Sequence, residues 1–295
     1  MTDFWIILTG VLVAGSCGLL GCFLVLRKMA MVGDAISHAV LPGIVLAFLF
    51  SGQRDSLVML VGAGLLGVLT TFLIEFFHRQ GRLQTDVSIG VTFTWLFALG
   101  VILVSRYAGQ VDLDQECVLY GEIAYVPLDT LTFGTTTLPQ APIMLGTVLL
   151  IIIIFISTGY RALQITTFDP AFAVATGISA TLWHYLLMGA VSLTTVAAFE
   201  SVGAILVVAF LVAPPATAYL LTQKLRTMLW LAAGIGALCA GLGYYLAVWL
   251  NGSIAGAMAT VAGILFGLAF LFSPTEGLVF KRRRVNQSLP IKASS

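Results

Sequence analysis

The chain has 295 residues, 59% of them hydrophobic and 9% charged, and its mean hydropathy is +1.05. This composition excludes a soluble protein and predicts an integral membrane protein. The 14 basic and 13 acidic residues leave a net charge of +1, and no basic stripe interleaved with aromatic residues is present. We therefore set nucleic acid aside as a partner and expect the chain to lie in a lipid bilayer.

Nine apolar segments are long enough, at about 17 to 25 residues, to cross a bilayer as helices. They lie near residues 4–26, 34–50, 57–77, 87–104, 141–160, 181–199, 202–221, 229–250 and 254–272. The second segment is short and the seventh contains Pro214-Pro215, which we expect to break it, so eight full spans plus a re-entrant piece are the alternative. The pattern predicts an all-α, polytopic helical bundle over residues 1–273, followed by a basic tail over residues 274–295.

The basic residues are distributed unevenly between alternate loops. If the N-terminus is outside, only Arg54 and Arg106 of the fourteen lie outside, and the other twelve lie inside. By the positive-inside rule, this predicts an external N-terminus and a cytoplasmic C-terminal tail. The first segment has no positive flank before it, so it is interpreted as a retained helix rather than a cleaved signal.

An aspartate and a histidine stand in the second apolar segment. Asp34 and His38 are four residues apart, so on a helix they share one face, with roughly 6 Å between their Cβ atoms. An ionised Asp in a membrane helix costs roughly 2.5 to 3.5 kcal/mol, which indicates a function. A carboxylate and a neutral imidazole suit Mn²⁺, Fe²⁺ or Zn²⁺, so the pair predicts contact with a metal ion. The alternative is that Asp34 caps the helix and His38 bonds a neighbouring helix.

The longest hydrophilic segment, residues 105–140, is expected to be an external loop. Its acidic residues are Asp112, Asp114, Glu116, Glu122 and Asp129, against a single Arg106. Such a loop would attract cations, or its carboxylates would do no more than keep it solvated. The sequence leaves both interpretations open.

The segment 161–180 is expected to be an inner loop that contains one short helix. In Phe168-Asp169-Pro170, the aspartate suits the N-cap and the proline suits the first helical position, while Gly177 suits the end of the helix. A weakly charged surface helix of this kind is a docking site for a partner. The alternative is an ordinary connecting helix at the lipid interface.

Three other ionisable residues stand near the ends of apolar segments. His184, between Trp183 and Tyr185, is interpreted as part of an aromatic anchor belt, and His78 as a solvated residue of the inner surface. Glu200 is expected at the outer turn between the sixth and seventh helices. It would be either an exposed carboxylate or a ligand at a gate.

Three sequence blocks resemble the permeases of the ABC importers for manganese, zinc and iron. They are GDAISHAVLPG over residues 33–43, FDP over 168–170 and VGAILVVAFLVAPPATA over 202–218. Their order and spacing match that family along nearly the whole chain, and the first block is the most specific. The AFESVG setting of Glu200 and the late segments GAMATVAG and LFSPTEG are most similar to the manganese/iron branch.

The resemblance implies a permease domain over residues 1–273 that pairs with a second copy or a related permease. It also implies cytoplasmic ABC ATPase subunits, an extracytoplasmic metal-binding protein and a place in the bacterial plasma (inner) membrane. The chain would not itself be an enzyme, and it has no G-x-x-x-x-G-K-[ST] loop for nucleotide phosphates. Its cargo would be a divalent metal ion, with no cofactor bound permanently.

The family's metal-contacting residues fall on Asp34 and His38, and Glu200 is a further candidate. The family's coupling helix, which docks the ATPase, falls on the segment that begins with FDP. The implied coupling residues are Phe168, Asp169, Pro170, Ala173 and Gly177. One departure is Pro214-Pro215, where the family more often has a single proline, and it bears on the shape of the seventh helix.

Two alternative functions remain open at this point. One is a proton-coupled secondary transporter, in which Asp34 and His38 relay protons. The other is a permease for a metal chelate, with a wide pathway and little direct metal contact. The expected function is the membrane permease of an ATP-driven metal importer, with Mn²⁺ and Fe²⁺ favoured over Zn²⁺.

Overall fold

The computed structural model describes residues 2–51, 56–107, 123–128, 130–133 and 136–273. Several residues weighed above lie outside these ranges, namely Arg54, Asp112, Asp114, Glu116, Glu122, Asp129 and the tail 274–295. The helices are α1 (Thr2–Leu26), α2 (Val32–Ala39), α3 (Leu41–Ser51), α4 (Ser56–Gln80), α5 (Thr85–Tyr107), α6 (Gln140–Phe168), α7 (Pro170–Ala175), α8 (Ala180–Val202), α9 (Ala204–Leu221), α10 (Leu225–Leu250) and α11 (Ile254–Phe272).

Nine segments of the described chain are long and apolar enough to cross a membrane, so the predicted helical membrane bundle is confirmed. The second of them, Val32–Ser51, consists of α2 and α3, which meet at Val40. Two short antiparallel strands, β1 (Thr130–Phe133) and β2 (Thr136–Pro139), lie between α5 and α6. The apolar periodicity gave no sign of this hairpin, whose threonine-rich strands suit a β conformation.

Helix α1 forms the centre of the core, where it packs against α6, α9 and α10. Leu20 and Phe23 are fully buried at these contacts. Cys17, Cys22 and Cys239 are free thiols and are buried. They act as small packing residues between closely spaced helices.

Helices α1 and α9 lie in close contact at Gly21. A Cβ on Gly21 would lie 2.1 Å from the carbonyl oxygen of Leu211 and 2.7 Å from Cγ of Pro215. Pro215 has no N–H to donate to that carbonyl, and the missing side chain of Gly21 lets the α1 backbone cover the oxygen. The Pro214-Pro215 pair therefore lies inside one continuous helix, and the expectation that it breaks the seventh helix was wrong.

Replacing Gly21 with alanine is expected to destabilise the protein by about 1 to 3 kcal/mol, because the new methyl group would overlap the Leu211 carbonyl. The apparent melting temperature of the purified protein in detergent measures the effect. Gly234→Ala is the matched control, since Gly234 is also helical but has nothing within 4 Å of its Cβ position. An equal fall in both variants would contradict the packing argument.

Helix α6 is longer than the sequence suggested. It runs for 29 residues to Phe168, so residues 161–168 extend the helix by about 12 Å beyond the expected end and do not form a loop. No glycine or proline interrupts that stretch. The helix ends at the residue before Asp169, where Pro170 restricts the backbone of its neighbour.

The basic residues on the described helix ends gather at one end of the bundle. Arg27 contacts Thr167 in the last turn of α6 and His184 near the start of α8, and Arg226 stacks over Tyr160 of α6 at 5.7 Å. Arg82, between α4 and α5, lies at this same end. We call it the basic end, and Arg106, in the last turn of α5, lies at the opposite end.

Candidate metal site

Asp34 and His38 lie side by side on α2, as their spacing predicted. The Nε2 atom of His38 is 3.5 Å from Oδ1 of Asp34, and each side chain is 31% exposed. The carboxylate and the imidazole therefore point to the same place on the surface of the chain. One cation can touch both groups.

The pair lies next to the break between α2 and α3 in the second membrane span. Helix α2 ends at Ala39, one residue after His38, and α3 begins at Leu41. Pro42 has no N–H to donate to the carbonyl of His38, which weakens the helix at this point. A polar pair at a break in a membrane helix is a common arrangement for ion sites.

Two phenyl rings of α5 form a wall beside the histidine. The ring centroid of His38 is 6.1 Å from that of Phe93 and 5.9 Å from that of Phe97. These apolar neighbours restrict the rotamers of the imidazole without offering it a second hydrogen-bond partner. On α2 itself, the hydroxyl of Ser37 donates to the Gly33 carbonyl at 3.0 Å, so it competes for neither side chain of the pair.

The described chain supplies an incomplete set of metal ligands. Nowhere in the described ranges do three His, Cys, Asp or Glu side chains converge closely enough to hold a metal ion. Asp34 and His38 supply one oxygen-bearing and one nitrogen-bearing ligand, which fits a first-row divalent ion, whereas stable coordination requires about four to six donors. The backbone of Glu200 lies in the last turn of α8, and its side chain falls outside the described part.

The short helix that was expected after Phe168 is present as α7. Asp169 caps it, accepting a hydrogen bond from the backbone N–H of Phe172 at 2.9 Å, and Pro170 is its first residue. Gly177 has a φ of +81°, the left-handed conformation that ends a helix. Ala173 is fully buried, so it fixes α7 to the bundle. A residue that touches a partner would face outward, and Ala173 does not.

A polar cluster near the basic end was not expected from the sequence. Arg27 donates to the hydroxyls of Thr167 at 3.1 Å and Thr166 at 3.0 Å, and its Nη1 lies 3.3 Å from Nδ1 of His184. Nε2 of His184 lies 3.4 Å from Oε2 of Glu75, and both side chains are largely buried. His184 is thus not part of an exposed anchor belt, and that interpretation was wrong.

The cluster holds its histidine in one orientation. A guanidinium only donates, so Nδ1 of His184 is the acceptor toward Arg27, and Nε2 faces Glu75. Burial lowers the pKa of Arg27 to about 10, which still leaves it charged at neutral pH. The sequence analysis did not consider Glu75, which lies inside an apolar helix. A carboxylate in that position requires partners, so Glu75 was the sequence signal for this cluster.

A bundle of membrane-spanning helices with a carboxylate and an imidazole at a broken span defines a membrane transport protein. The chain belongs to the ABC 3 transport family, whose model matches residues 2–273. The relatives of the chain include membrane transport proteins of bacteria, and the chain is itself a multi-pass protein of the bacterial plasma (inner) membrane.

Three known proteins show the extent of the similarity. The manganese transport system membrane protein MntD of Bacillus subtilis is 54% identical over 283 residues, which is 96% of each chain. The zinc transport system membrane protein TroD of Treponema pallidum is 46% identical over 93% of this chain and 75% of its own. The solved structure of PsaBC from Streptococcus pneumoniae in complex with Fab has a TM-score of 0.77 and 31% identity, covering 94% of both chains.

Proposed function

We propose that this chain is the membrane permease of an ATP-driven importer of divalent transition metal ions, with Mn²⁺ or Fe²⁺ as the favoured cargo and Zn²⁺ as the alternative. The observation that carries the proposal is the Asp34–His38 pair, whose polar atoms lie 3.5 Å apart in a membrane span. Relatives named for manganese and zinc transport support a metal cargo. The same donors suit all three ions, so the chemistry of the pair fits the whole group.

The exposure of the pair supports a second permease subunit. A carboxylate that is 31% exposed on an isolated chain would face lipid tails unless another surface covered it. A second copy or a related permease, packed over α2, would remove that cost and bring further ligands to the ion. Four ligands from two subunits would bind more tightly than two, yet weakly enough for the ion to leave.

The orientation follows from the positive-inside rule. The basic end, with Arg27, Arg82 and Arg226, is proposed to face the cytoplasm, together with the tail 274–295. The ion would arrive from an extracytoplasmic metal-binding protein at the opposite end. It would pass Asp34 and His38 and leave near the basic end.

Helix α7 is proposed to dock the cytoplasmic ATPase. It lies at the basic end and presents Phe172 and Val174 to solvent, 53% and 67% exposed, next to Phe168 at the end of α6, which is 59% exposed. Exposed apolar groups beside a well-capped helix suit a protein interface. In this proposal Asp169, Pro170 and Gly177 shape the helix and Ala173 anchors it.

Metal accumulation in a cell that lacks this chain tests the proposal. Manganese, iron and zinc are measured together, with and without the wild-type chain restored, and again with the ATPase gene removed while the ion gradients are intact. We expect uptake of the cargo ion to need both the chain and the ATPase. Uptake that continues without the ATPase would show a secondary transporter instead.

A further inference from the structure

A long groove runs along the outside of the bundle between α1, α6 and α10. Its volume is about 710 Å³. Aliphatic side chains such as Leu19, Ile153 and Leu229 line most of its length, and Arg161 and Arg226 lie at the basic end. The groove is therefore apolar along its length and positively charged at one mouth.

The two arginines at the mouth are available to an anion. Both side chains are exposed, and within the described ranges neither one pairs with a carboxylate. The guanidinium of Arg226 lies over the ring of Tyr160 at 5.7 Å, which holds it beside the groove. Two guanidinium groups with unused N–H donors suit a phosphate, which they can contact through two parallel hydrogen bonds each.

The length of the groove matches one leaflet of a bilayer. On α6 the lining extends from Leu149 to Arg161, and these two residues are twelve positions or about 18 Å apart along the helix axis. The hydrocarbon of one leaflet is about 15 Å thick. Trp230, which also lines the groove, is 77% exposed and has the amphipathic ring typical of the membrane interface.

The groove is separate from the Asp34–His38 site. None of its lining residues belongs to α2, which carries the pair, or to α3, α4, α5, α8 and α9, which pack against α2. A second protein chain is a poorer occupant than a lipid, because two adjacent arginines at one end of an aliphatic channel call for a molecule with one anionic head and long apolar tails. We propose that this groove binds an anionic phospholipid, with its phosphate on Arg161 and Arg226 and an acyl chain between α1, α6 and α10.

Native mass spectrometry of the purified full-length chain in detergent tests this site. Dioleoyl-phosphatidylglycerol and dioleoyl-phosphatidylcholine are titrated separately, and the bound lipid is counted for each. A basic residue near a membrane surface contributes about a factor of five to the binding of anionic lipid. The R161Q/R226Q double variant is therefore expected to lose about 25-fold in affinity for phosphatidylglycerol and much less for phosphatidylcholine.

Two further variants make the test specific. Ser157→Phe fills the apolar part of the groove and is expected to weaken the binding of both lipids, while both arginines stay in place. The double variant R82Q/K224Q removes two exposed cations from the same end of the bundle, outside the groove, and is expected to leave binding unchanged.

Two results would overturn the proposal. The first is unchanged affinity for phosphatidylglycerol in R161Q/R226Q, which would make the groove a protein interface if the ratio of monomer to dimer changes as well. The second is an equal loss in R82Q/K224Q, which would indicate general charge attraction. None of these readouts depends on metal transport, so the lipid proposal can fail or succeed independently of the proposed function.

Discussion

Asp34→Ala and His38→Ala are each expected to reduce metal uptake to less than about a tenth of the wild-type rate. Loss of a group that only hydrogen-bonds to a metal ligand already lowers metal affinity or activity by about 10-fold to 100-fold. These substitutions remove a proposed ligand itself. Membrane insertion is expected to be unaffected by Asp34→Ala, because removing a charge from a membrane helix favours insertion by about 2.5 to 3.5 kcal/mol. Uptake of the radioactive ion and the amount of protein in the membrane fraction are measured on the same cells.

The control for this experiment removes the same chemical groups elsewhere. Asp86 and His78 are exposed and lie on α5 and α4, near the basic end. Asp86→Ala and His78→Ala are expected to transport at close to the wild-type rate. Wild-type uptake by Asp34→Ala or His38→Ala would show that the pair is not on the metal pathway.

Replacing Asp169-Pro170 with Ala-Gly is expected to uncouple the ATPase. The change removes the N-cap hydrogen bond to Phe172, worth about 0.5 to 2 kcal/mol, and the proline that fixes the first turn of α7. A six-residue helix consists of little more than its first and last turns, so α7 is expected to lose its helical conformation. The docking surface for the ATPase would then be lost. Co-purification of the ATPase and metal-stimulated ATP hydrolysis should both fall, while metal binding at the Asp34–His38 pair persists.

Ser253→Ala provides the matched control for this prediction. The hydroxyl of Ser253 caps α11 by accepting from the backbone N–H of Gly256 at 3.3 Å, and it lies at the end opposite α7. Its loss costs a similar amount of stability but leaves the docking surface intact. If Ser253→Ala lowers ATP hydrolysis as much as the Asp169-Pro170 change, general destabilisation rather than docking is the cause.

Much of the bundle was predictable because membrane spans are defined by local sequence. An apolar run of about 20 residues has few alternatives to a helix in lipid, since every backbone polar group must be satisfied within the segment. The i, i+4 spacing placed Asp34 beside His38 for the same local reason. The cap of α7 was also local, since Asp169 and Pro170 act on their immediate neighbours.

The features that the sequence did not reveal depend on contacts between distant segments. Whether Pro214-Pro215 breaks its helix depends on Gly21 of α1, which makes room beside the Leu211 carbonyl. His184 resembled an interfacial residue because its partners lie far away in the sequence, Arg27 just after α1 and Glu75 on α4. Periodicity describes one helix at a time and carries no information about which residues face each other across the bundle.

The break at Val40 also determines which distances can change during transport. Gly33 on α2 packs tightly against Leu211 of α9, and Gly43 on α3 packs against the backbone of Gly62 on α4. Helices α4 and α5 pack against both halves of the span, while the close contact at Gly33 joins α2 to α9, so a shift of α9 would move α2 relative to α3 about Val40. Asp34 and His38 are on the same half, so they would travel as one rigid body. Under the proposed function, an ion bound by this pair would be released when the pair turns away from its other ligands, and the spacing between Asp34 and His38 would stay constant.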